Sequence, residues 1–172
     1  MQDIYIHPCE VWFGGGRTRL RTTLGSCVAI TLWHPTLHIG GICHFMLSHS
    51  PSVRRVDREG CYADTAMELL QAKLCATGQR PEAFEAKLFG AGNMFCRSGL
   101  SSKSIPIRIQ ERNIAAGREL AMQYGHRVVA EHVGGRGHRQ LVFDLATGLA
   151  WLKHAGGSCA DHCECRCAEK AA

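Results

Sequence analysis

No apolar run in this 172-residue chain approaches the roughly 20 residues that a membrane-crossing helix requires, which argues against membrane insertion. The N-terminus, Met1-Gln2-Asp3-Ile4-Tyr5-Ile6, lacks the basic and then apolar regions of a secretory leader, so the expected location is cytoplasmic. Without a leader, ten cysteines do not read as an extracellular disulfide framework. Cys9, Cys27, Cys43, Cys61, Cys75 and Cys96 are therefore expected to be reduced thiols, most of them small buried hydrophobes. Concentrated basic charge is lacking too. The 20 Lys and Arg are interleaved with 15 Asp and Glu, and the densest cluster, Arg54-Arg55-Val56-Asp57-Arg58, reads as a solvated loop. Nucleic acid is not an expected partner. Internal repeats are missing as well. With 45% hydrophobic and 20% charged residues, what remains is an ordinary globular chain long enough to bury its own core.

What is present alternates between short extended runs and two helical stretches. Ile4 to Phe13 reads as two extended pieces broken at His7-Pro8, and Gly14-Gly15-Gly16 as a turn. Arg19–Leu24 and Cys27–Trp33 read as strands separated by Gly25-Ser26, with turn chemistry at His34-Pro35-Thr36-Leu37. His38–Leu47 is a third strand in which Gly40-Gly41 suits a bulge or a close backbone approach. Ser48–Gly60 reads as a mobile loop. A helix over Tyr62–Thr77 places Ala63, Ala66, Met67, Leu70 and Leu74 at helical spacing, with Gly78 as its stop. Ala86–Phe89 is a short strand entering Gly90-Ala91-Gly92, and a second helix covers Glu111–Tyr124. Strands at Arg127–Glu131, Gln140–Asp144 and Leu149–Lys153 follow, the last two joined by Ala146-Thr147-Gly148. The expected architecture is α/β: a single domain over residues 1–155 with about eight to ten strands in layered mixed or antiparallel sheets, flanked by two main helices.

Two of these runs carry chemistry. Cys27 stands just after Gly25-Ser26, and His44 lies in the next strand. A four-residue loop, His34 to Leu37, would pair Trp33 with His38 and so Cys27 with His44. Opposed residues are roughly 4.5–5.5 Å apart at Cα and point to one face. A two-residue loop at Pro35-Thr36 keeps the same register, although Pro cannot take the positive φ that tight hairpins favour. Loops of three or five residues throw His44 to the other face. A free thiol, with a pKa of about 8.5, is mostly protonated at neutral pH, and a neighbouring imidazole can take and later return its proton. Backbone N–H groups around Gly25, Ser26 and Cys27 could hold an oxyanion, and the hydroxyl of Thr22 or Thr23 could orient the imidazole. Cys43 lies on the opposite face from His44 in this register.

Leu24-Gly25-Ser26-Cys27-Val28-Ala29-Ile30 followed by Gly40-Gly41-Ile42-Cys43-His44-Phe45-Met46-Leu47 resembles the CheD family of chemoreceptor glutamine deamidases. The resemblance continues through Tyr62-Ala63-Asp64-Thr65-Ala66, Ala86 to Phe95, Glu111-Arg112-Asn113-Ile114, Gly134-Gly135, Arg139 and the Phe143 to Gly148 hairpin. It implies a layered α/β fold shared with toxins that deamidate glutamine. It also implies hydrolysis of selected receptor glutamines to glutamate and ammonia, without a cofactor. Cys27 matches the nucleophile and His44 the general base. Chemoreceptor cytoplasmic domains are the implied partners, with a CheC-type phosphatase as a regulator in parts of the family. The family's third catalytic residue is a threonine six positions before the cysteine, where this chain has Arg21. Thr22 and Thr23 beside it are both carried as candidates. Thr23 shares the face of Cys27 by strand parity, and Thr22 does so only if the chain kinks at Gly25. Gln110 replaces the glycine usual before Glu-Arg-Asn, and Ser48 the proline usual after Met-Leu.

Residues 156–172 show no periodicity and read as a disordered, cysteine-rich tail outside the resemblance. Cys159, Cys163, Cys165 and Cys167 are candidate soft-metal ligands, but nine residues are cramped for a structural zinc site, which normally has a folded insert between ligand pairs. Two other functions fit the same features. One is a receptor- or phosphatase-binding adaptation module with little catalysis, and the other a thiol or metal sensor acting through the tail.

Overall fold

Two runs of the chain are apolar on both faces, and both lie in the interior. They belong to a computed structural model that describes residues 1–52, 56–94 and 109–155. Among the described residues there are nine strands and two α-helices. Their order is β1 (Gln2–Tyr5), β2 (Val11–Gly15), β3 (Thr18–Leu24), β4 (Val28–His34), β5 (Ile39–Phe45), α1 (Ala63–Cys75), β6 (Glu85–Gly90), α2 (Ile109–Gln123), β7 (Arg127–Val133), β8 (His138–Asp144) and β9 (Ala150–Ala155). The doubly buried runs are β4 and β5, which sit inside a five-stranded sheet of order β2-β5-β4-β6-β7. A second sheet has the order β1-β3-β8-β9. Both are mixed, since β1 runs parallel to β3 and β6 parallel to β7 while the other pairs are antiparallel.

Burial on both faces means that each face of the central strands has its own cover. On one face Val28, Ile30, Leu32, Cys43 and Phe45 pack against Ala63, Ala66, Met67, Leu70 and Leu74 of α1 and against Ala116 and Ala121 of α2. Leu70 and Leu74, both fully buried, each contribute about 2 kcal/mol by leaving water. The α1 residues are those whose spacing predicts the helix, and Gly78 stops it with a positive φ of 74°. On the other face Ala29, Ile42 and Phe89 meet Leu20, Leu24, Leu141 and Phe143 of the four-stranded sheet. The result is three layers: helices, the five-stranded sheet and the four-stranded sheet. The α/β class, the layered mixed sheets and the two flanking helices all agree with the sequence expectation.

Local differences have local causes. Gly14 and Gly15 extend β2, so the turn falls at Gly16 (φ 75°). Gly40 and Gly41 mark a close approach in an unbroken ladder: a Cβ on Gly40 would lie 2.2 Å from the Leu32 carbonyl oxygen. The β4–β5 hairpin closes at His34–Ile39, one residue later on each strand than Trp33–His38. His38 belongs to the turn because it takes a left-handed φ of 54° and donates its N–H to the His34 carbonyl at 3.0 Å. The His34 ring helps, with Nδ1 accepting from the Thr36 and Leu37 N–H groups at 3.3 Å each.

The expectation that the scattered cysteines are all reduced is corrected at one pair. Cys9 and Cys61 form a disulfide, while Cys27, Cys43 and Cys75 are free. That expectation is an argument about compartment, whereas bridging depends on proximity. Proximity is created by Gly60, where any Cβ would stand 1.9 Å from the Cys9 carbonyl oxygen. Cys96 and the tail cysteines lie outside the described residues, as do the proposed disorder and metal binding of that tail.

The bridge spans a sequence separation of 52 residues, and loop closure over that length is worth typically about 2–4 kcal/mol. Reduction of the wild type, or a Cys9→Ser/Cys61→Ser double variant, is expected to lower the thermal midpoint by roughly 5–15 °C. Equal midpoints with and without reductant would show that the bridge adds no stability.

Candidate active site

Alternation along β3 decides which side chains enter the molecule. Leu20, Thr22 and Leu24 are buried, whereas Arg21 and Thr23 point out. Arg21 pairs with Asp3 at 3.0 Å, and the Thr23 hydroxyl accepts from Tyr5 at 3.1 Å. β3 belongs to the four-stranded sheet and β4 to the five-stranded one, so the chain crosses between layers at Gly25-Ser26-Cys27. Strand parity does not carry across such a crossing, and this is why the reading that puts Thr23 on the face of Cys27 fails. Thr22 faces the space between the sheets.

His44 enters that space from β5. It pairs with Ala29, so it lies on the same face as Ala29. The Thr22 Oγ1 donates to the Ile6 carbonyl at 2.7 Å and lies 2.9 Å from His44 Nδ1. A hydroxyl has one proton. With that proton given to Ile6, Thr22 can only accept from the ring, so Nδ1 carries the hydrogen and Nε2 a bare lone pair. Nε2 is buried and, among the described residues, has no hydrogen-bond partner. Burial pushes the imidazole down to about 4, the Ile6 carbonyl and Glu10 opposing that shift and His7 adding to it. The ring is therefore neutral at neutral pH and presents a base.

Cys27 occupies the first position beyond the β4–β5 ladder, which ends at Val28–Phe45. Continuing the register puts Cys27 opposite Met46, with His44 as its diagonal neighbour. Direct opposition to His44 is thus corrected to a diagonal relation. The ladder stops short of Cys27, and only an unbroken continuation of its register would keep the two side chains on a common face. The thiol is raised above its ordinary value by burial, opposed by the Ser26 side chain and by the amide of Cys27 itself. Thiol and imidazole are both neutral at rest. Cys43, as expected, faces the other way, into the helix layer, where it is fully buried, contacts Met67 and is pushed up to about 12.

A loop from β6 holds the crossing from behind. Ala91 N–H donates to the Cys27 carbonyl and Gly92 N–H to the Gly25 carbonyl, both at 2.7 Å. A Cβ on Gly90 would stand 2.2 Å from the Cys27 carbonyl oxygen, and Ala91 adopts a positive φ of 54°. That loop is pinned by hydrogen bonds from Gly134 to Gly90 and from Asn93 to Gly135. The buried Arg139 braces the pinning segment, donating to the Gly134 carbonyl and, at 2.7 Å, to His132 Nδ1. None of these residues stands out as a site residue from sequence. The Gly90-Ala91-Gly92 run is the available signal, because consecutive small residues mark a backbone that something else must approach.

In front of the crossing is a cavity of about 260 Å³, lined by Ser26, Cys27, Met46, Leu47, Arg58, Cys61, Tyr62 and Ile109. Its walls are mainly apolar and it reaches the thiol. Among the described residues, neither Ser26 nor Cys27 donates its N–H to a backbone carbonyl, and the Cys27 amide lies beside its own thiol. Sulfur, a base-ready imidazole, an orienting hydroxyl and backbone amides form the equipment for attack on a carbonyl carbon.

A family model described as CheD chemotactic sensory transduction matches residues 46–154. The chain is similar to the Probable chemoreceptor glutamine deamidase CheD 3 of Dechloromonas aromatica, with 40% identity covering 94% of this chain and 92% of that protein. It is 41% identical to the Probable chemoreceptor glutamine deamidase CheD of Pseudomonas syringae pv. tomato, over 88% of this chain and 89% of that protein. The corresponding protein of Pseudomonas savastanoi pv. phaseolicola is 43% identical over 88% of this chain and 84% of its own. Among solved structures, Bacillus licheniformis hypothetical protein YfiH aligns with 68% of this chain and 46% of its own at a TM-score of 0.39 and 12% identity.

The buried imidazole makes stability depend on pH. His44 is lowered in the folded state, so the unfolded chain binds more protons between the ordinary value near 6.5 and about 4. Stability is then complete above pH 6.5 and lost as pH falls through that window, by about 3 kcal/mol for this one group. His126, also lowered by burial, acts in the same direction. Denaturant midpoints from pH 7 to pH 4 are expected to fall less steeply in His44→Gln than in the wild type. Parallel profiles would show that His44 is not buried as a neutral ring.

Proposed function

We propose, from the premise that the chain belongs to the CheD family, that it is a chemoreceptor glutamine deamidase working through Cys27 and His44. The observation that supports the mechanism is the Thr22–His44 contact, which leaves Nε2 unprotonated. The substrate class rests on the family and on the names of the relatives, which are deamidases of chemoreceptor glutamine.

Loading of a glutamine side chain into the cavity would bring its amide carbon to the thiol. Cys27 Sγ attacks that carbon as His44 Nε2 takes the thiol proton, and Thr22 holds the ring in the required tautomer throughout. The N–H groups of Ser26 and Cys27, on the turn that begins at Gly25, receive the negative charge developing on the amide oxygen. His44 returns its proton to the nitrogen, ammonia leaves, and a thioester to Cys27 remains. Water activated by the same Nε2 hydrolyses the thioester, releasing glutamate and restoring the thiol. No step calls for a metal or an organic cofactor. Exchanging a neutral amide for a carboxylate alters the charge on the receptor's cytoplasmic domain, which is the form in which the reaction would contribute to adaptation. A cytoplasmic site of action and a CheC-type phosphatase as regulatory partner complete the reading.

The test is mass-spectrometric conversion of glutamine to glutamate in receptor cytoplasmic fragments. Cys27→Ala and His44→Ala are expected to abolish it. Thr22→Val should lower kcat on the order of 10²-fold, the scale of losing an aligned general base, whereas Thr23→Val should stay within about twofold as an ordinary surface change. Conversion by Cys27→Ala at the wild-type rate would overturn the mechanism. A chain truncated after Ala155 is expected to retain activity. Loss of activity in a folded truncated protein would instead assign the Cys159, Cys163, Cys165 and Cys167 segment a part in the reaction.

A further inference from the structure

Asn113 is a polar side chain in a place built for small apolar ones. It lies on the inner face of α2, where the other buried residues are Ala116, Gly117 and Ala121. It is 1% exposed, and among the described residues its Oδ1 has no hydrogen-bond partner. A buried amide with an unmatched oxygen costs stability that an apolar side chain of similar volume would not. Its nitrogen shows what it does there. Nδ2 donates to the Met46 carbonyl at 2.8 Å and lies 3.5 Å from the Ser26 carbonyl. Met46 follows His44 by two residues, and Ser26 precedes Cys27. One side chain from the helix layer thus reaches the chain segments that carry both the imidazole and the thiol.

The rung that would otherwise hold Ser26 is missing. His44 exchanges its backbone hydrogen bonds with the β2 side of β5, accepting from Cys9 and donating to Glu10. By alternation Phe45 faces β4, and the next rung toward β4 would be Leu47 with Ser26. Leu47 is engaged elsewhere: its N–H goes to the Cys61 carbonyl and its carbonyl accepts from Ala63. Of the described side chains, Asn113 is the one whose nitrogen approaches the Ser26 carbonyl. In a trans peptide the carbonyl and the following N–H point in opposite directions. A Ser26 carbonyl drawn toward α2 therefore turns the Cys27 N–H away from the helices, toward the thiol.

We propose that Asn113 is a positioning residue: by holding the Ser26 carbonyl it aims the Cys27 N–H at the oxygen of a carbonyl attacked by Cys27. The proposal rests on the reading of Cys27 as an acyl-accepting nucleophile, and its test does not require a receptor substrate. Two reactions of the full chain are compared, each followed at Cys27 by peptide mass spectrometry. With p-nitrophenyl acetate, Cys27 Sγ attacks the acetyl carbon, its proton passes to His44, p-nitrophenolate leaves, and an oxyanion develops on the way. With iodoacetamide, the sulfur displaces iodide at a saturated carbon and no oxyanion forms.

In Asn113→Ala and Asn113→Asp the acylation rate constant is expected to fall about 10- to 100-fold, the scale of a compromised oxyanion donor, while alkylation changes less than about threefold. A parallel fall in both rates, or no fall in acylation, overturns the proposal. Should neither variant fold, the wild type still decides: in the structure of its acetyl-Cys27 form the acyl oxygen must lie within hydrogen-bond distance of the Cys27 nitrogen, and an oxygen turned elsewhere overturns it. Glutamine conversion in receptor fragments, measured alongside, reports separately on the deamidase reading.

Discussion

One proton on one hydroxyl sets the chemical polarity of this molecule. Thr22 gives it to the Ile6 carbonyl, and from that single donation the tautomer of His44 follows, and with it the free lone pair on Nε2. The carbonyl that receives the proton belongs to the segment just after β1, which runs parallel to β3. A short edge strand, peripheral by position, therefore reaches the base. The same segment continues to Cys9 and Glu10, whose backbones bracket His44, and Cys9 is bonded through sulfur to Cys61 on the cavity wall. Displacing that segment would withdraw the Ile6 carbonyl, free the Thr22 proton to point at Nδ1, and reverse the ring's hydrogen. The site is held from the edge of the fold as much as from its core.

The position of the thiol depends on a second constraint, the passage of the chain from one sheet to the other. A strand that continued smoothly from β3 would spend the polar groups of Ser26 and Cys27 on a ladder. Crossing between layers takes them out of both ladders, and the β6 loop then binds the carbonyls of Gly25 and Cys27 without engaging the amides of Ser26 and Cys27. Carbonyls tied back and amides left open is the polarity that a developing negative charge requires. Gly90 is what lets that loop come close enough, since a Cβ there would meet the Cys27 carbonyl.

These two constraints explain which parts of the structure were legible in the sequence. The face of α1 and the burial of β4 and β5 depend on periodicity, which side-chain pattern carries directly. The hairpin register depended on one histidine, His38, adopting a left-handed conformation that ordinary turn chemistry assigns to glycine or asparagine. Choice between Thr22 and Thr23 turned on whether residues 22–33 form one strand or two strands in different sheets. Local pattern cannot separate those cases, since Gly25-Ser26 is compatible with either. Arg139 and Asn113 were visible only as letters of a resemblance, because their partners are backbone atoms of loops far along the chain. The Cys9–Cys61 bridge was hidden for the same reason: nothing local to either residue announces the other.

Among the described residues three cysteines are free, and the surroundings of each decide which can serve as the nucleophile. Cys75 is exposed at the C-terminal end of α1, away from the imidazole of His44. Cys43 is adjacent to His44 in sequence yet points into the helix layer, and full burial, opposed only in part by backbone hydrogen bonds at Ile30 and Cys43, pushes its thiol up to about 12. Cys27 is between these extremes. Its burial is partial, enough to raise the thiol and to exclude bulk water from the reacting atoms, while Ser26 and its own amide still offer the sulfur hydrogen bonds. A thiol raised and an imidazole lowered form a pair that stays neutral until a carbonyl arrives. In the proposed reaction the charge separation would develop against the amides of the crossing, tying proton transfer and attack to the presence of substrate.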